Sequence, residues 1–142
     1  MDTETPSKPI VLVVDDDEMA TKAVVQLLER RGFTMLTASN GREGLRKLGQ
    51  THVDVLVLDV MMPEMTGLEV CHTLRSDGRF TELPVILLTG CDDIETRAAG
   101  MKLGVSEFLC KPFAHHELIE RINNQLEVRR ISRELDTIAE QL

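Results

Sequence analysis

Five short apolar runs, each trailed by an amphipathic stretch, leave this 142-residue chain few ways to fold. The runs occupy residues 10–14, 34–38, 53–58, 85–88 and 105–110, and their central members show no polar alternation. Strands of that kind are buried on both faces, which is the condition of a parallel sheet covered by helices. The intervening stretches read as those helices. In the first, Ala20, Ala23, Val24, Leu27 and Leu28 fall on one face and Gly32 follows as a stop. The second starts at Asn40, with Glu43 as its capping-box partner, and turns Leu45 and Leu48 inward. The third repeats that device with Thr66 and Glu69, followed by Val70, Cys71 and Leu74. The fourth covers about residues 92–101, with Ile94, Ala98 and Met101 on one side. Crossovers between parallel strands are right-handed, so this order specifies a doubly wound α/β fold of five strands and five helices.

The fifth helix starts near His115 and meets no breaker before Leu142. Leu118, Ile119, Ile122 and Leu126 suit packing on the sheet. Beyond them Val128, Ile131, Leu135, Ile138 and Leu142 are spaced 3, 4, 3 and 4 apart, a heptad seam with no sheet left to cover. The expected organisation is a flexible tail over residues 1–8, one domain over 9–127, and a projecting, self-associating helix over 128–142. An amphipathic helix folded back on the domain is the alternative.

Charge and composition narrow the function classes. Sixteen Lys and Arg against 24 Asp and Glu give a net charge of −8, which argues against the electropositive face that nucleic acid demands. No apolar run approaches the ~20 residues that span a bilayer, and the N-terminus has neither the basic nor the apolar region of a secretory signal, so a cytoplasmic location is expected. Cys71, Cys91 and Cys110, odd in number and 20 and 19 residues apart, suit reduced thiols better than a disulfide framework or a zinc site. Two of them follow or sit inside apolar runs and read as core residues.

Ligand crevices of open α/β sheets lie beyond the carboxyl ends of the strands. The residues there are polar: Asp15, Asp16, Asp17 and Glu18 after the first run, Asp59 after the third, Thr89 after the fourth, and Lys111 with Pro112 after the fifth. Clustered carboxylates repel unless a hard cation neutralises them, and oxygen donors suit Mg²⁺, which commonly brings a phosphate oxygen. A phosphoryl group needs a nucleophile, charge neutralisation and a hydrogen-bond donor. Asp59, the cation with Lys111, and Thr89 supply these in turn. Each residue alone has a plainer reading as a solvated acid, a turn threonine or a surface lysine; four matching strand ends make the case.

These segments resemble the receiver domains of two-component response regulators. The resemblance lies in IVLVVDDDE at 10–18, DVLVLDVMMPEMTG at 54–67, PVILLTG at 84–90 and FLCKPF at 108–113, and extends over about residues 9–127. It implies a flavodoxin-like sheet of order 2-1-3-4-5 and a cis Lys111–Pro112 bond. It also implies Asp59 as phosphoacceptor, Asp15 and Asp16 as the acidic pair, Thr89 as the hydroxyl residue and Lys111 as the lysine of the family's site. The metal, Mg²⁺ or Mn²⁺ in its place, would be held by Asp16, Asp59 and the backbone carbonyl of Met61, with Asp15 acting through water. Phosphorylation would draw Thr89 toward the phosphoryl group and let Phe108 turn inward, the alternative being a Phe108 that stays in the core. Met61 and Cys91 stand at the two positions that tune dephosphorylation and bring no general base, which implies slow loss of phosphate. Gly90 stands for the usual Ala, and Ala114 for the usual Ser or Asp cap.

The implied partner is a histidine kinase or phosphotransfer protein, and the implied role is a switch rather than a metabolic enzyme. Its output would run through the fourth helix, fifth strand and fifth helix, and along the seam, as a homodimer or as a linker to an output module. A standalone regulator, dimeric or monomeric, is the alternative there. A phosphatase of the haloacid-dehalogenase type would instead use Asp15 as nucleophile, with Asp17 and Thr89 imitating its motifs. It would leave Asp59 without a task, and it lacks the Thr or Val expected two residues after Asp17. His115, His116, His52 and His72 lack metal-binding spacing and read as surface positions.

Overall fold

The computed structural model describes residues 8–142. The tail expected over residues 1–8 therefore lies outside them, except for Lys8, which is exposed. Five strands, β1 (Ile10–Val14), β2 (Thr34–Ala38), β3 (Val55–Asp59), β4 (Val85–Gly90) and β5 (Glu107–Lys111), alternate with helices α1 (Glu18–Arg30), α2 (Gly41–Gln50), α3 (Gly67–Arg75), α4 (Ile94–Lys102) and α5 (His115–Gln141). A short 3₁₀ turn at Gly78–Phe80 precedes β4. All four strand pairings are parallel and the order is β2-β1-β3-β4-β5, the flavodoxin-like arrangement.

The absence of polar alternation follows from two cores. Successive residues of a strand point to opposite faces. Leu12, Val14, Leu56, Leu58, Val85 and Leu87 enter one cluster, packed with α2 and α3 residues such as Leu48, Val70 and Leu74. Val11, Val13, Val55, Val57, Ile86 and Leu88 enter the other, with Val24 and Leu28 of α1 and Leu118, Ile119 and Ile122 of α5. Both faces are dry, so both parities are apolar. The edge strands β2 and β5 are only partly buried.

Local signals were mostly honoured. Asn40 caps α2 by accepting from the Glu43 N–H at 2.8 Å. Glu43, however, does not return the bond to Asn40; its carboxylate accepts from the backbone N–H and hydroxyl of Ser39, so the expected capping box is one residue out of register. Thr66 and Glu69 form the full box of α3. Ala114 has no side-chain acceptor, and only the Glu117 carboxylate, accepting from the Ala114 N–H at 3.0 Å, remains of the α5 cap. Gly32 takes a left-handed φ of 92° just past α1, as a helix stop does.

Helix α4 departs most from the expected pattern. It starts at Ile94, two residues later than expected, because Asp93 caps it through the Thr96 N–H. The side carrying Ile94, Ala98 and Met101 faces outward, with Ile94 76% and Met101 69% exposed. Its inner face is Gly100, where a Cβ would lie 2.9 Å from Cε1 of Phe108.

Arg75, at the end of α3, ties two connections, α3 to β4 and α4 to β5, together at the amino ends of the strands. Its guanidinium donates to the carbonyls of Leu103, Phe80, Leu83 and Gly104 at 2.7 to 3.2 Å. Asp54 does the same below β1 and β3, accepting from the Ile10 N–H at 2.8 Å and pairing with His52 at 2.9 Å.

Gly67 opens α3 directly against the end of β3. A Cβ there would lie 2.5 Å from the carbonyl oxygen of Asp59 and 2.9 Å from Cα of Val60, both backbone atoms that cannot rotate away. Gly67→Ala is therefore expected to cost about 2 kcal/mol, in the range of overpacked sites, and to lower the midpoint of thermal or urea unfolding. An unchanged midpoint would show that α3 yields freely.

Candidate functional site

The strand ends meet along one edge of the sheet. Asp15 extends β1 by one residue, its N–H donating to the Ala38 carbonyl at 3.1 Å. Asp59 ends β3, Thr89 lies near the end of β4, and Lys111 ends β5. Asp15, Asp59 and Thr89 are the buried polar residues of the described chain, at 5%, 4% and 2% exposure. Burying charge is costly unless it is paired. The pairing comes from Lys111, whose Nζ lies 3.3 Å from Oδ2 of Asp15 and 3.2 Å from Oδ1 of Asp59.

The acid run after β1 divides its labour. Asp17 caps α1, accepting from the Ala20 N–H at 3.1 Å, and its own N–H donates to Asp15 Oδ1 at 3.0 Å. Glu18 lies in the first turn of α1. Asp16 is exposed and remains beside the buried pair: Asp15, Asp16 and Asp59 each offer a carboxylate oxygen, all within 4.8 Å of one another. This all-oxygen set fits a hard dication.

Burial, then the charge of Asp15, push the Asp59 carboxyl up to about 6, against the opposing pull of Lys111. For Lys111, burial works against the charge, but Asp59 and Asp15 more than offset it and hold the ammonium above its ordinary range. One ammonium is thus too little positive charge for the carboxylates around it.

The Thr89 hydroxyl donates to the Gly90 carbonyl at 3.0 Å. Phe108 is half-buried, its ring against Gly100 and the α2–α3 core. Met61 is 75% exposed, and Cys91 is exposed in the turn after β4. The Lys111–Pro112 bond is cis. Beside Asp15 and Lys111, a cleft of about 430 Å³ opens between α1 and α5, lined by Ala20, Val24, Phe113 and Leu118 among others. The four histidines are all exposed, as their spacing indicated. The seam residues Val128, Ile131, Leu135, Ile138 and Leu142 are far from the acidic edge in sequence, on the continuous extension of α5, and all are exposed.

Sequence reasoning missed a sulfur cluster next to this site. Cys110 lies in register with Thr89, and Arg97 Nη2 of α4 reaches its Sγ at 2.6 Å. The Cys91 thiol contacts the Lys111 carbonyl oxygen at 4.0 Å, and the neighbouring Cys110 pushes it above the ordinary thiol range. Of the three cysteines only Cys71 is fully buried; Cys110 is partly exposed, short of the core position expected for it. Parallel pairing of β4 and β5 was the signal that could have brought 91 and 110 together.

The family model of the response regulator receiver domain matches residues 11–123. The chain belongs to this family. Among curated relatives, the receiver is 42% identical over 130 residues to the response regulator MprA of Mycobacterium ulcerans (strain Agy99), covering 92% of this chain and 54% of that protein. It is 42% identical over 112 residues to MprA of Mycobacterium leprae (strain TN), covering 79% and 48%. The chain spans about half the length of the curated relatives it matches. Among solved structures, the receiver superposes on chemotaxis protein CheY4 of Vibrio cholerae with a TM-score of 0.79 at 32% identity, covering 84% of this chain and 99% of that one. A CheY-like receiver domain protein of Methanospirillum hungatei JF-1 gives 0.84 at 25% identity, covering 89% and 99%. Receivers are signalling proteins, and among the described residues no helix is long and apolar enough to cross a membrane.

The raised Asp59 sets a pH dependence. In the unfolded chain this carboxyl ionises near 3.8, in the receiver near 6. Folding therefore favours the protonated form; the stability this contributes is complete below 3.8 and is lost as pH rises to about 6, a loss of at most ~3 kcal/mol. Asp59→Asn is expected to flatten that decline and to be the more stable protein above pH 6 in metal-free buffer. Parallel unfolding curves for the two proteins across this window would contradict the assignment.

Proposed function

We propose that this receiver accepts a phosphoryl group on Asp59 from the phosphohistidine of a sensor kinase or phosphotransfer protein, and that the modified state is read by a partner. The observation that carries the reading is a buried carboxylate at the end of β3, 3.2 Å from Lys111 and grouped with Asp15 and Asp16. In the transfer, a carboxylate oxygen of Asp59 forms the new O–P bond, the donor's N–P bond breaks, and the leaving imidazole takes up a proton. Asp16, Asp59 and the Met61 carbonyl, with Asp15 through water, would hold Mg²⁺, with Mn²⁺ as a substitute. The bound ion supplies the charge neutralisation that carboxylates and phosphoryl oxygens both need. Lys111 stays within reach of Asp59 and pairs with a phosphoryl oxygen. Thr89 exchanges its bond to Gly90 for one to the phosphoryl group, and Phe108 follows into the space left. Met61 and Cys91 present no base to activate water, so the acyl phosphate is long-lived. The cleft between α1 and α5 gives the donor an approach beside Asp15 and Lys111. The dehalogenase-like alternative loses its second acid, because Asp17 is committed to capping α1.

The expected test uses a small phosphodonor, phosphoramidate, with Mg²⁺. The native chain and Thr89→Ala gain a hydroxylamine-sensitive acyl phosphate, Asp59→Asn falls to background, and Asp15→Asn is slowed but still labelled at Asp59. Labelling of Asp15 in the Asp59→Asn protein would overturn the reading.

The partner of the seam is a second copy of this chain. Val128, Leu135 and Leu142 take heptad position a, and Ile131 and Ile138 position d. At 3.6 residues per turn they lie on the side of α5 opposite Ile122, Leu126 and Arg129, which face the domain, so two domains fit outside a two-stranded coil. Position g carries Glu127 and Glu134, and position e carries Ser132 and Ala139. Parallel chains set g against e, glutamate against neutral residues, whereas antiparallel chains set g against g and crowd the glutamates. Sedimentation equilibrium is expected to approach twice 15.9 kDa as concentration rises, and Ile131→Asp with Ile138→Asp to return a single-chain mass with unchanged unfolding of the domain. One mass for both proteins at every concentration would rule the coil out.

A further inference from the structure

The turn after β4 carries an exposed thiol beside the acidic edge. Cys91 is exposed in that turn, one residue past Gly90. Cys110 is partly buried on β5, between Leu109 and Lys111 and in register with Thr89. The Cys91 sulfur lies 4.0 Å from the carbonyl oxygen of Lys111, the residue that follows Cys110, and Cys110 is near enough to push the Cys91 thiol up. From α4, the guanidinium of Arg97 donates to Cys110 Sγ at 2.6 Å, and its buried Nε has no partner among the described residues. An arginine turned inward onto a sulfur, on a helix whose Ile94 and Met101 face solvent, is not what packing alone selects.

We propose that Cys91 and Cys110 form a thiol-oxidation site for hydroperoxides, closed by a disulfide that ties the β4–α4 turn to β5. The exposed Cys91 sulfur attacks the O–O bond; that bond breaks, Cys91 becomes a sulfenic acid, and the alcohol or water formed takes the thiol proton. The Cys110 sulfur then attacks the Cys91 sulfur, the S–S bond forms, and the sulfenic hydroxyl leaves as water with the Cys110 proton. The peroxide gains two electrons and each sulfur gives one. A disulfide needs Cα atoms within ~4.4–6.8 Å. The turn has freedom to meet this: Cys91 lies past the last paired residue of β4, and the space beside Gly90 is open. The site itself does not depend on phosphoryl transfer. Its consequence rests on the function proposed above: with the turn tied to the strand that bears Phe108 and Lys111, Thr89 and Phe108 cannot exchange positions.

The test treats the full, unphosphorylated chain with hydrogen peroxide, alkylates the remaining thiols and maps the peptides. The expected product is an intramolecular Cys91–Cys110 link, two hydrogens lighter than the reduced chain, reversed by dithiothreitol and absent from Cys91→Ser, whose exposed position leaves folding intact. Cys91 recovered as sulfinic acid or in a link between chains, with Cys110 still alkylated, would overturn the proposal. Phosphoramidate then reads the consequence, each protein compared with itself before and after peroxide: uptake by the native chain is expected to fall several-fold on oxidation, whereas peroxide leaves the uptake of Cys91→Ser where it stood. Equal uptake by linked and reduced chains would overturn the tether. If no form takes up phosphoryl, the acceptor reading fails, while the peptide map still decides the oxidation site.

Discussion

Two carboxylates at neighbouring strand ends are held out of water by a single ammonium, and much of the molecule is arranged around that imbalance. Lys111 reaches both Asp15 and Asp59 because β1, β3 and β5 run in the same direction and finish at the same edge. An antiparallel strand at any of these places would send its last residue to the far side of the sheet. Burial, with too little positive charge to offset it and the neighbouring Asp15, is what lifts the Asp59 carboxyl. Buried carboxylates that are only partly compensated cost stability, and such groups gather at functional sites.

Most of the architecture was legible in the sequence, for a reason particular to parallel sheets. Strands buried on both faces announce themselves as unbroken apolar runs, and the residues that end those runs must share one edge. Asp15, Asp59, Thr89 and Lys111 could therefore be gathered before any coordinate was known. Helix α4 was harder. Its Ile94, Ala98 and Met101 form the kind of periodic stripe that normally faces a core, yet they face out, because the inner contact is made by the absence of a side chain at Gly100 and by the ring of Phe108. Glu43 illustrates a smaller limit: spacing identified the capping acid but not whether its carboxylate would return to Asn40 or to Ser39.

Arg75 and Arg97 were invisible for another reason. A guanidinium that satisfies four backbone carbonyls, or one that leans on a cysteine, depends on where loops arrive from distant parts of the chain. Residue type says only that such a group is able to bind something. The pairing of Cys91 with Cys110 lay between these extremes, since it needs only that β4 and β5 be neighbours in register.

The two rims of the sheet differ in how they are fastened. At the amino ends of the strands, Arg75 clasps the loops around α3 and α4, Asp54 holds the start of β1, Arg129 of α5 donates to the Asp54 carbonyl at 3.0 Å, and Ser106 bonds Val85 through both its backbone and its hydroxyl. At the carboxyl ends, the turn after β4 closes on itself through the Asp93 N–H to the Gly90 carbonyl at 3.2 Å and meets β5 through the contact of Cys91 Sγ with the Lys111 carbonyl oxygen. The amino rim is thus fastened by side chains bonded to backbone carbonyls, and the carboxyl rim by ion pairs that Lys111 makes with Asp15 and Asp59. Helix α5 joins the two, since it starts beside the carboxyl rim at His115 and is bonded at Arg129 to the amino rim, so a change in charge at one rim has a continuous helix along which to reach the other.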